Sequence, residues 1–542
     1  MSRKPSNSAR PERAIEQSRP FAEMMAIALP SVVTMTSYTV MQFVDGLMVS
    51  RIEPPDDVYV AAQGNGGMAI WLLMSFTLGL TGVVNSFVSQ NLGAGRPERG
   101  AAYAWTGLWV CVAWSLMILP MWWVLPRMFV AMNHAPDLVA LETSYAQTLL
   151  AGAFLTLAAR SLAHYFYGMH RPRVVMVSVV TANVVNVFCN ALLIYGEAGP
   201  PEGTPFAAQF RAIAQALNLP AFGVTGAALG TVIGTAVEFL IPLFIFLSPK
   251  YNEQFGTRGA WRFSWGHLKD LLRIGWPPGA MFANEMICWG FLMAYMLGAA
   301  GKAAGDDPEV HNTAGWIALR YMHVSFMPAV GLSIAVSAIV GRWLGARRPD
   351  VAAARAWLGL KITITYMGAC ALIFVFFRHE LIGLFVPDDM PPELAGELVR
   401  IGATVMIAAA VFQVFDAIAI IMSGALRGAG DTLWPGIVTL ILSWTCIPGV
   451  GIALIYLMPE LGSIGPWIGA SLYIILLSLF MLWRFVNGKW RSIDLVKRDE
   501  TEAVRICPYC GCDVSALPEG HTCPECGVVG EEAVAGVTPG AM

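Results

Sequence analysis

Long apolar runs separated by short polar stretches alternate along most of the chain. Between Tyr59 and Asn91, for example, no side chain carries a formal charge. A helix needs about 20 apolar residues to cross the hydrocarbon core, and lipid offers no partner for open backbone groups. The pattern predicts twelve membrane-spanning helices, near residues 21–50, 60–91, 101–126, 138–168, 172–196, 222–248, 268–299, 313–343, 351–378, 392–424, 431–458 and 464–487.

Composition agrees with an all-α polytopic membrane protein. Of the 542 residues, 56% are hydrophobic and 13% are Asp, Glu, Lys or Arg, with a mean hydropathy of +0.59. A soluble domain carries roughly 25% charged residues. The net charge of −3 and the lack of a basic patch give no reason to expect a nucleic-acid partner. The start of the chain mixes acids with bases and has no apolar core, so we expect a disordered tail there and no signal peptide.

Basic residues are distributed unevenly between the two sides of these spans. The tails and the loops on the N-terminal side hold 25 of the 34 Lys and Arg, and the opposite side holds six. Basic residues accumulate in the cytoplasmic loops of membrane proteins. The bias predicts that both termini are cytoplasmic and that the chain lies in the inner (plasma) membrane.

One short sequence occurs twice. Residues 88–98 read VSQNLGAGRPE and residues 340–350 read VGRWLGARRPD. The stretch from Gly168 similarly resembles that from Gly424, and residues 222–231 resemble 461–470. Because six spans separate each pair, the chain is predicted to be a parallel repeat of two six-helix halves with a cleft between them. The predicted divisions are an N-tail (1–20), an N-half (21–248), a linker (249–267), a C-half (268–487), a linker (488–505), a metal-binding ribbon (506–529) and a disordered tail (530–542).

Several motifs in this order resemble the multidrug and toxic compound extrusion (MATE) family, NorM-like members in particular, over residues 20–490. The matching segments are FVDGLMV (43–49), NVVNVFCNALLIYG (183–196), IGWPPG (274–279) and FDAIAIIMSGALRGAGDT (415–432). The resemblance implies a V-shaped pair of six-helix bundles. It also implies a monomeric antiporter in the bilayer that exports organic, mostly cationic, compounds in exchange for H⁺ or Na⁺.

Acids inside predicted spans are the candidate coupling groups, because charges in hydrocarbon are costly and face cavities or partners. By resemblance, Asp45 is the N-half ion-coupling acid, and Asn186, Asn190 and Thr231 are its polar partners. Asn186 and Asn190 are four residues apart and so share a helix face. The alternative is that both asparagines only hydrogen-bond neighbouring helices as packing contacts.

A second coupling site is expected in the C-half. Glu285 and Asp416 match the acids of the seventh and tenth helices in the NorM-like branch. The tyrosine often found one turn before that aspartate is Phe412 here, which removes a Na⁺ ligand and favours proton coupling. The alternative for either acid is a structural pair with Arg320 or another buried base.

Other polar residues and prolines within spans have less specific interpretations. We expect Glu238 to be paired or to lie at the lipid interface, and Arg320 to be a fixed counter-ion. His164 and His323 are candidates for proton relays or for structural histidines. Pro30 and the Pro277–Pro278 pair interrupt the first helix of each half and are candidate hinges.

The cysteines near the C-terminus form a separate motif. Cys507, Cys510, Cys523 and Cys526 make CxxC-x12-CxxC, the spacing of a zinc ribbon in which four thiolates hold one structural Zn²⁺. An iron site of the rubredoxin kind is the alternative. Such a module predicts an unidentified cytoplasmic partner or a regulatory role.

These features predict a cation-coupled antiporter for organic cations. A lipid-linked oligosaccharide flippase of related architecture is the alternative, although the few intramembrane bases argue against the basic cavity that it needs. An enzyme is not expected, because no HExxH, GxSxG, paired-acid metal motif or Gly-rich nucleotide loop occurs.

Overall fold

The computed structural model describes residues 19–54, 56–386 and 390–496. Eleven helices in this part of the chain are long and apolar enough to cross a membrane, and the number is twelve if a bent helix pair is counted as one span. In chain order these spans are α1 (Pro20–Val49), α2 (Val58–Gly93), α3 (Pro97–Ile118), α4 (Pro136–Ala151 and Ala153–Gly168, bent by 49°), α5 (Pro172–Leu193), α6 (Gly223–Phe246), α7 (Trp265–Ala304), α8 (Pro308–Gly345), α9 (Pro349–Phe376), α10 (Pro392–Ala429), α11 (Leu433–Leu457) and α12 (Ile464–Val486).

Most predicted spans lie within a few residues of these bounds, and the third is the clearest exception. The predicted span ran to residue 126, but α3 ends at Ile118 and a separate helix covers Met121–Ala131. Pro120 lies at the junction and has no N–H with which to continue the hydrogen bonding of α3. A second short helix, Ala207–Ala216, lies in the loop between α5 and α6, where no helix was predicted.

Two spans contain a π-helical turn. α7 contains a π-helical turn at Leu292–Met296, and α11 contains another at Thr445–Val450. The two turns are close, since a Cβ on Gly451 would collide with the Met296 side chain. Such π turns are rare and often lie at functional sites.

The duplicated sequence forms the same turn in both halves. Gly95 and Arg347 both adopt positive φ, at 77° and 58°. The N–H groups of Arg96 and Arg348 then bond back to carbonyl oxygens five residues earlier, at 2.9 and 2.8 Å. A proline follows at the first turn of the next helix in each case. The repeat therefore encodes a Schellman-type helix end followed by a proline helix start.

Helix contacts reproduce the repeat in three dimensions. The main contacts between the halves are those of α1 with α8 and of α2 with α7. A two-fold operation that exchanges α1 with α7 and α2 with α8 converts one contact into the other. The contacts are thus those expected of a parallel repeat, in which two similar halves are related by an axis along the membrane normal.

The two halves meet closely at one end of the bundle, which we call the terminal face because α1 begins there and α12 ends there. The Ser86 hydroxyl donates to the Arg427 carbonyl oxygen at 2.6 Å, and the Gln90 amide donates to the Gly428 carbonyl oxygen at 3.1 Å. A Cβ on Gly93 would collide with the carbonyl oxygen of Arg342, so glycine is needed for this approach. Backbone contact between the halves therefore closes the terminal face.

The start of α1 belongs to the packing of the C-half. Met24, Ile27 and Ala28 are buried in the hydrophobic cluster formed mainly by α7–α12. The Glu23 carboxylate accepts from Arg355 Nε at 2.6 Å and from Trp343 Nε1 at 3.0 Å. α1 thus joins the two halves through both apolar burial and an ion pair.

Candidate ion and substrate site

The N-half residues predicted to act together lie together. Asn190 Nδ2 donates to Asp45 Oδ1 at 2.6 Å and to Asn186 Oδ1 at 3.0 Å. Asn186 Nδ2 in turn donates to Thr231 Oγ1 at 3.4 Å, and the Thr231 hydroxyl donates to the Ala227 carbonyl oxygen at 2.9 Å. Helices α1, α5 and α6 therefore supply one connected polar chain inside the apolar N-half.

One oxygen in this chain lacks a partner among the described residues. Asn190 is fully buried, and its Oδ1 makes no hydrogen bond there. Gly230 of α6 faces that oxygen, and a Cβ at this position would collide with it. A buried acceptor without a donor is costly. The Asp45 carboxylate and this Asn190 oxygen are hard-oxygen donors that suit a small cation, and the carboxylate can alternatively take a proton.

Two acids form a cluster with a tyrosine in the C-half. The Tyr473 hydroxyl on α12 donates to Glu285 Oε1 on α7 at 2.6 Å. Asp416 on α10 is buried and close enough to Glu285 for their charges to interact. Two neighbouring carboxylates in apolar surroundings require a cation or a proton to offset their charge.

Sequence reasoning missed Tyr473. Phe412 is buried and contributes no oxygen, as expected from its side chain. The Tyr473 hydroxyl reaches Glu285 from a different helix, so the cluster does contain a phenolic oxygen. The presence of Phe412 therefore does not by itself disfavour Na⁺ at this cluster. A tyrosine within the apolar sequence of α12 was a signal, but only the fold shows which acid it meets.

A hydrogen-bonded network next to Glu285 was also missed. Asn284 Nδ2 donates to Ser443 Oγ at 2.7 Å, and Trp444 Nε1 donates to Asn284 Oδ1 at 2.7 Å. Ser443 and Trp444 directly precede the π turn of α11. The network fixes α7 to α11 beside the acid cluster.

A third polar cluster surrounds Glu238. The Tyr38 hydroxyl donates to Glu238 Oε1 at 2.5 Å, and Arg160 Nε lies 3.9 Å from the same oxygen. The Arg160 guanidinium also lies over the Tyr38 ring, 3.6 Å from its centroid. Glu238 was expected either to be paired or to lie at the lipid interface, and the structure shows that it is paired.

The remaining candidates are less involved in these clusters. Arg320 lies over the Phe385 ring at 5.7 Å and has no acidic partner among the described residues. His164 is partly buried, with Arg160 and Arg427 nearby, and its Nδ1 has no partner in the same part of the chain. His323 is exposed and packs against Phe326.

Both proline sites lie inside continuous helices. Pro30 is within α1 and Pro277–Pro278 within α7. Their role as hinges stays a prediction.

Three potential metal ligands, Asp306, His311 and Glu397, converge at the face opposite the terminal face. His311 Nδ1 accepts from the Ser463 backbone N–H at 3.2 Å, while Nε2 lies 3.1 Å from Asp306 Oδ2. This pattern places the ring proton on Nε2, the atom that would otherwise face a metal. The cluster is explained as a structural hydrogen bond. The four tail cysteines, Cys507 to Cys526, lie outside the described residues.

The sequence matches the family model described as MatE at residues 30–192 and 286–456. These segments cover more than half of the chain and include Asp45 and Asp416, whereas Glu238 and Glu285 lie between the two segments. The chain belongs to the MatE family. Its all-helical, membrane-spanning fold is the one that the sequence pattern and motifs predicted.

Curated MatE relatives are similar along most of their length. The chain is 25% identical to the probable multidrug resistance protein NorM of Mesorhizobium japonicum, over 85% of this chain and 93% of that protein. It is 26% identical to the probable NorM of Thermotoga maritima, over 82% and 88%. It is also 26% identical to the multidrug resistance protein PmpM of Pseudomonas aeruginosa, over 89% and 95%.

Solved MatE-type structures share the fold at lower identity. A MATE crystallised in complex with MaL6 superposes with a TM-score of 0.73 at 21% identity, covering 86% of this chain and 96% of that one. The eukaryotic MATE transporter AtDTX14 gives a TM-score of 0.72 at 17% identity, covering 87% and 97%. These similarities establish the fold.

Proposed function

We propose that this MatE protein exports organic cations from the cytoplasm in exchange for H⁺ or Na⁺. The observation that carries the proposal is the Asp45 carboxylate, which is held inside the membrane by a chain of polar side chains ending in an unpartnered buried oxygen. The names of the curated relatives, which are multidrug resistance proteins, support the export of drugs. The concentration of Lys and Arg at the terminal face supports a cytoplasmic position for that face.

The proposed exchange depends on competition for carboxylate charge. When a coupling ion is bound, it neutralises the Asp45 carboxylate. When that ion leaves, the negative charge of Asp45 favours the binding of an organic cation in the cleft. The Glu285–Asp416 cluster provides a second point at which cationic charge is favoured in the C-half. Closure of the terminal face through Ser86 and Gln90 is the state in which the cytoplasmic side is sealed, and alternating access requires these contacts to open.

The test is transport of ethidium in proteoliposomes under separate proton and sodium gradients. Asp45→Asn keeps the shape of the side chain and removes its charge, so we expect gradient-driven efflux to fall to the level of empty liposomes. Asp137→Asn is the matched control, because Asp137 is exposed in the first turn of α4. We expect this variant to transport at the wild-type rate.

Comparison of efflux under the two gradients distinguishes coupling to H⁺ from coupling to Na⁺. Efflux driven by one gradient and absent under the other identifies the ion. Asp45→Asn protein that inserts, elutes as a single species and still transports at the wild-type rate would contradict the proposal.

The C-terminal tail is a separate proposal. We propose that Cys507, Cys510, Cys523 and Cys526 hold one structural Zn²⁺, as supported by their spacing alone. A module of this size needs its metal to fold. The tail would then present a small folded surface to a cytoplasmic partner next to the terminal face.

A further inference from the structure

The Glu238 cluster and the Glu285 cluster occupy equivalent places in the two halves. Tyr38 lies eight residues after Pro30, and Glu285 lies eight residues after Pro277. Arg160 lies eight residues before Gly168, and Asp416 lies eight residues before Gly424. Pro30 and Pro277 each lie within the first helix of a half, and Gly168 and Gly424 begin similar stretches of sequence. The repeat therefore pairs Tyr38 with Glu285 and Arg160 with Asp416.

Each cluster has a third residue on the last helix of its half, and these two residues occupy equivalent positions to within one helical turn. Glu238 lies on α6 and Tyr473 on α12, the last helix of each half. In the alignment of residues 222–231 with 461–470, Tyr473 falls four positions before the equivalent of Glu238. In both halves a tyrosine hydroxyl donates to a glutamate oxygen between the first and last helices, at 2.5 Å in the N-half and 2.6 Å in the C-half. Because the axis lies along the membrane normal, the clusters have the same depth.

The two clusters differ in charge. The C-half cluster has two acids and a tyrosine, so its charge can be offset only from outside. The N-half cluster has one acid, one tyrosine and one arginine. Its guanidinium lies 3.9 Å from the carboxylate and stacks on the tyrosine ring. Arg160 thus supplies from within the chain the positive charge that the C-half lacks.

We propose that Arg160 is a tethered cation that permanently occupies the N-half counterpart of the Glu285–Asp416 site. It takes the place that an exchangeable cation or proton takes in the C-half, an assignment that rests on the proposed function. The two halves therefore differ in function, since only the C-half cluster can gain or lose positive charge at this depth. Without the arginine side chain, the Tyr38–Glu238 pair becomes a binding site for a guanidinium or a similarly sized organic cation.

The surroundings of Glu238 support this assignment. Among the described residues, the charged or titratable groups that interact with the Arg160–Glu238 pair are Tyr38 on α1, and His164 and Tyr167 on α4. None of the three supplies a second fixed positive charge. Arg427 of α10 interacts with His164 rather than with the pair. Removal of the guanidinium would therefore leave the Glu238 carboxylate without a resident partner of opposite charge.

The test is chemical rescue in purified, detergent-solubilised protein, with methylguanidinium as the probe. We expect Arg160→Ala to unfold at a lower temperature than the wild type and to regain stability as methylguanidinium is added. The double variant Arg160→Ala/Glu238→Gln has no carboxylate to bind the probe, so we expect it not to respond, like the wild type. Arg160→Lys, which keeps the tethered charge, should not respond either. Equal stabilisation of the single and double variants, or no stabilisation of Arg160→Ala, would overturn the proposal.

A second measurement decides the matter even if Arg160→Ala cannot be isolated. If Arg160 neutralises Glu238 as an ion pair, wild-type Glu238 is a carboxylate. Glu238→Gln alone should then leave the infrared band of protonated carboxylic acids unchanged and should reduce the carboxylate band. Loss of a carboxylic acid band in Glu238→Gln would refute the ion pair and the proposal with it. Neither measurement involves transport, so failure here is distinguishable from failure of Asp45-dependent export.

Discussion

The ion pair between Glu23 and Arg355 gives a quantitative test of how α1 joins the two halves. The pair is 2.6 Å long, and its side chains are 2% and 8% exposed. Replacing Arg355 with Met leaves the Glu23 carboxylate buried, with the Trp343 indole N–H as its remaining described partner. Breaking one side of a buried pair costs about 3–5 kcal/mol. Since 1.4 kcal/mol is tenfold, the unfolding equilibrium constant should rise by roughly two to three and a half orders of magnitude.

The double variant Glu23→Leu/Arg355→Met should recover most of this loss. It removes both charges and replaces them with apolar volume, which is often neutral or stabilising in buried positions. The assay is reversible unfolding in mixed micelles with increasing dodecyl sulfate, followed by tryptophan fluorescence. Asp350→Asn is the control, because it breaks a pair with Arg348 whose side chains are 32% and 67% exposed. That change should cost less than about 1 kcal/mol.

Two results would refute the reasoning. A loss below about 1 kcal/mol for Arg355→Met would mean that the pair is as weak as an exposed one. Additive losses in the double variant would mean that the two side chains do not interact.

Two further predictions concern acid stability and the tail. Burial, followed by the charge of Arg342, lowers the pKa of His170 from 6.5 to about 3. In the neutral ring, Nε2 donates to the Ala338 carbonyl oxygen and Nδ1 accepts from Arg342. The stabilisation that these two hydrogen bonds give to the folded state should be complete above pH 6.5 and should decrease as the pH falls towards 3. His170→Asn should flatten that part of a melting-temperature profile, and an unchanged slope would assign the acid sensitivity elsewhere. Metal analysis of dialysed protein should find one zinc per chain, and Cys507→Ser/Cys510→Ser should abolish it; iron or no metal in the unmodified chain would contradict the zinc assignment.

Much of the N-half site was predictable because it is encoded locally. Asn186 and Asn190 share a face by their spacing alone, and the motif around Asp45 places that acid on the first helix. The resemblance supplied their partnership, and the hydrogen bonds between α1 and α5 agree with it. The same resemblance predicted Glu285 and Asp416 as a second pair of acids, and the structure places them near each other. That resemblance could not find Tyr473, because nothing in the sequence relates a tyrosine on α12 to an acid 188 positions away on α7.

The amino-acid sequence alone determined the membrane-spanning class, and it predicted twelve spans and a two-fold repeat. These features follow from hydrophobic length, the alternation of basic loops and duplicated motifs, each of which is read along the chain without knowledge of contacts. Tertiary structure alone decided which charges neutralise each other: Glu23 with Arg355, and Glu238 with Arg160. The physical reason is that an apolar environment makes an unpaired charge costly, whereas the partner that offsets it is chosen by helix packing. The pairing of charges in this membrane protein is therefore a property of its three-dimensional structure.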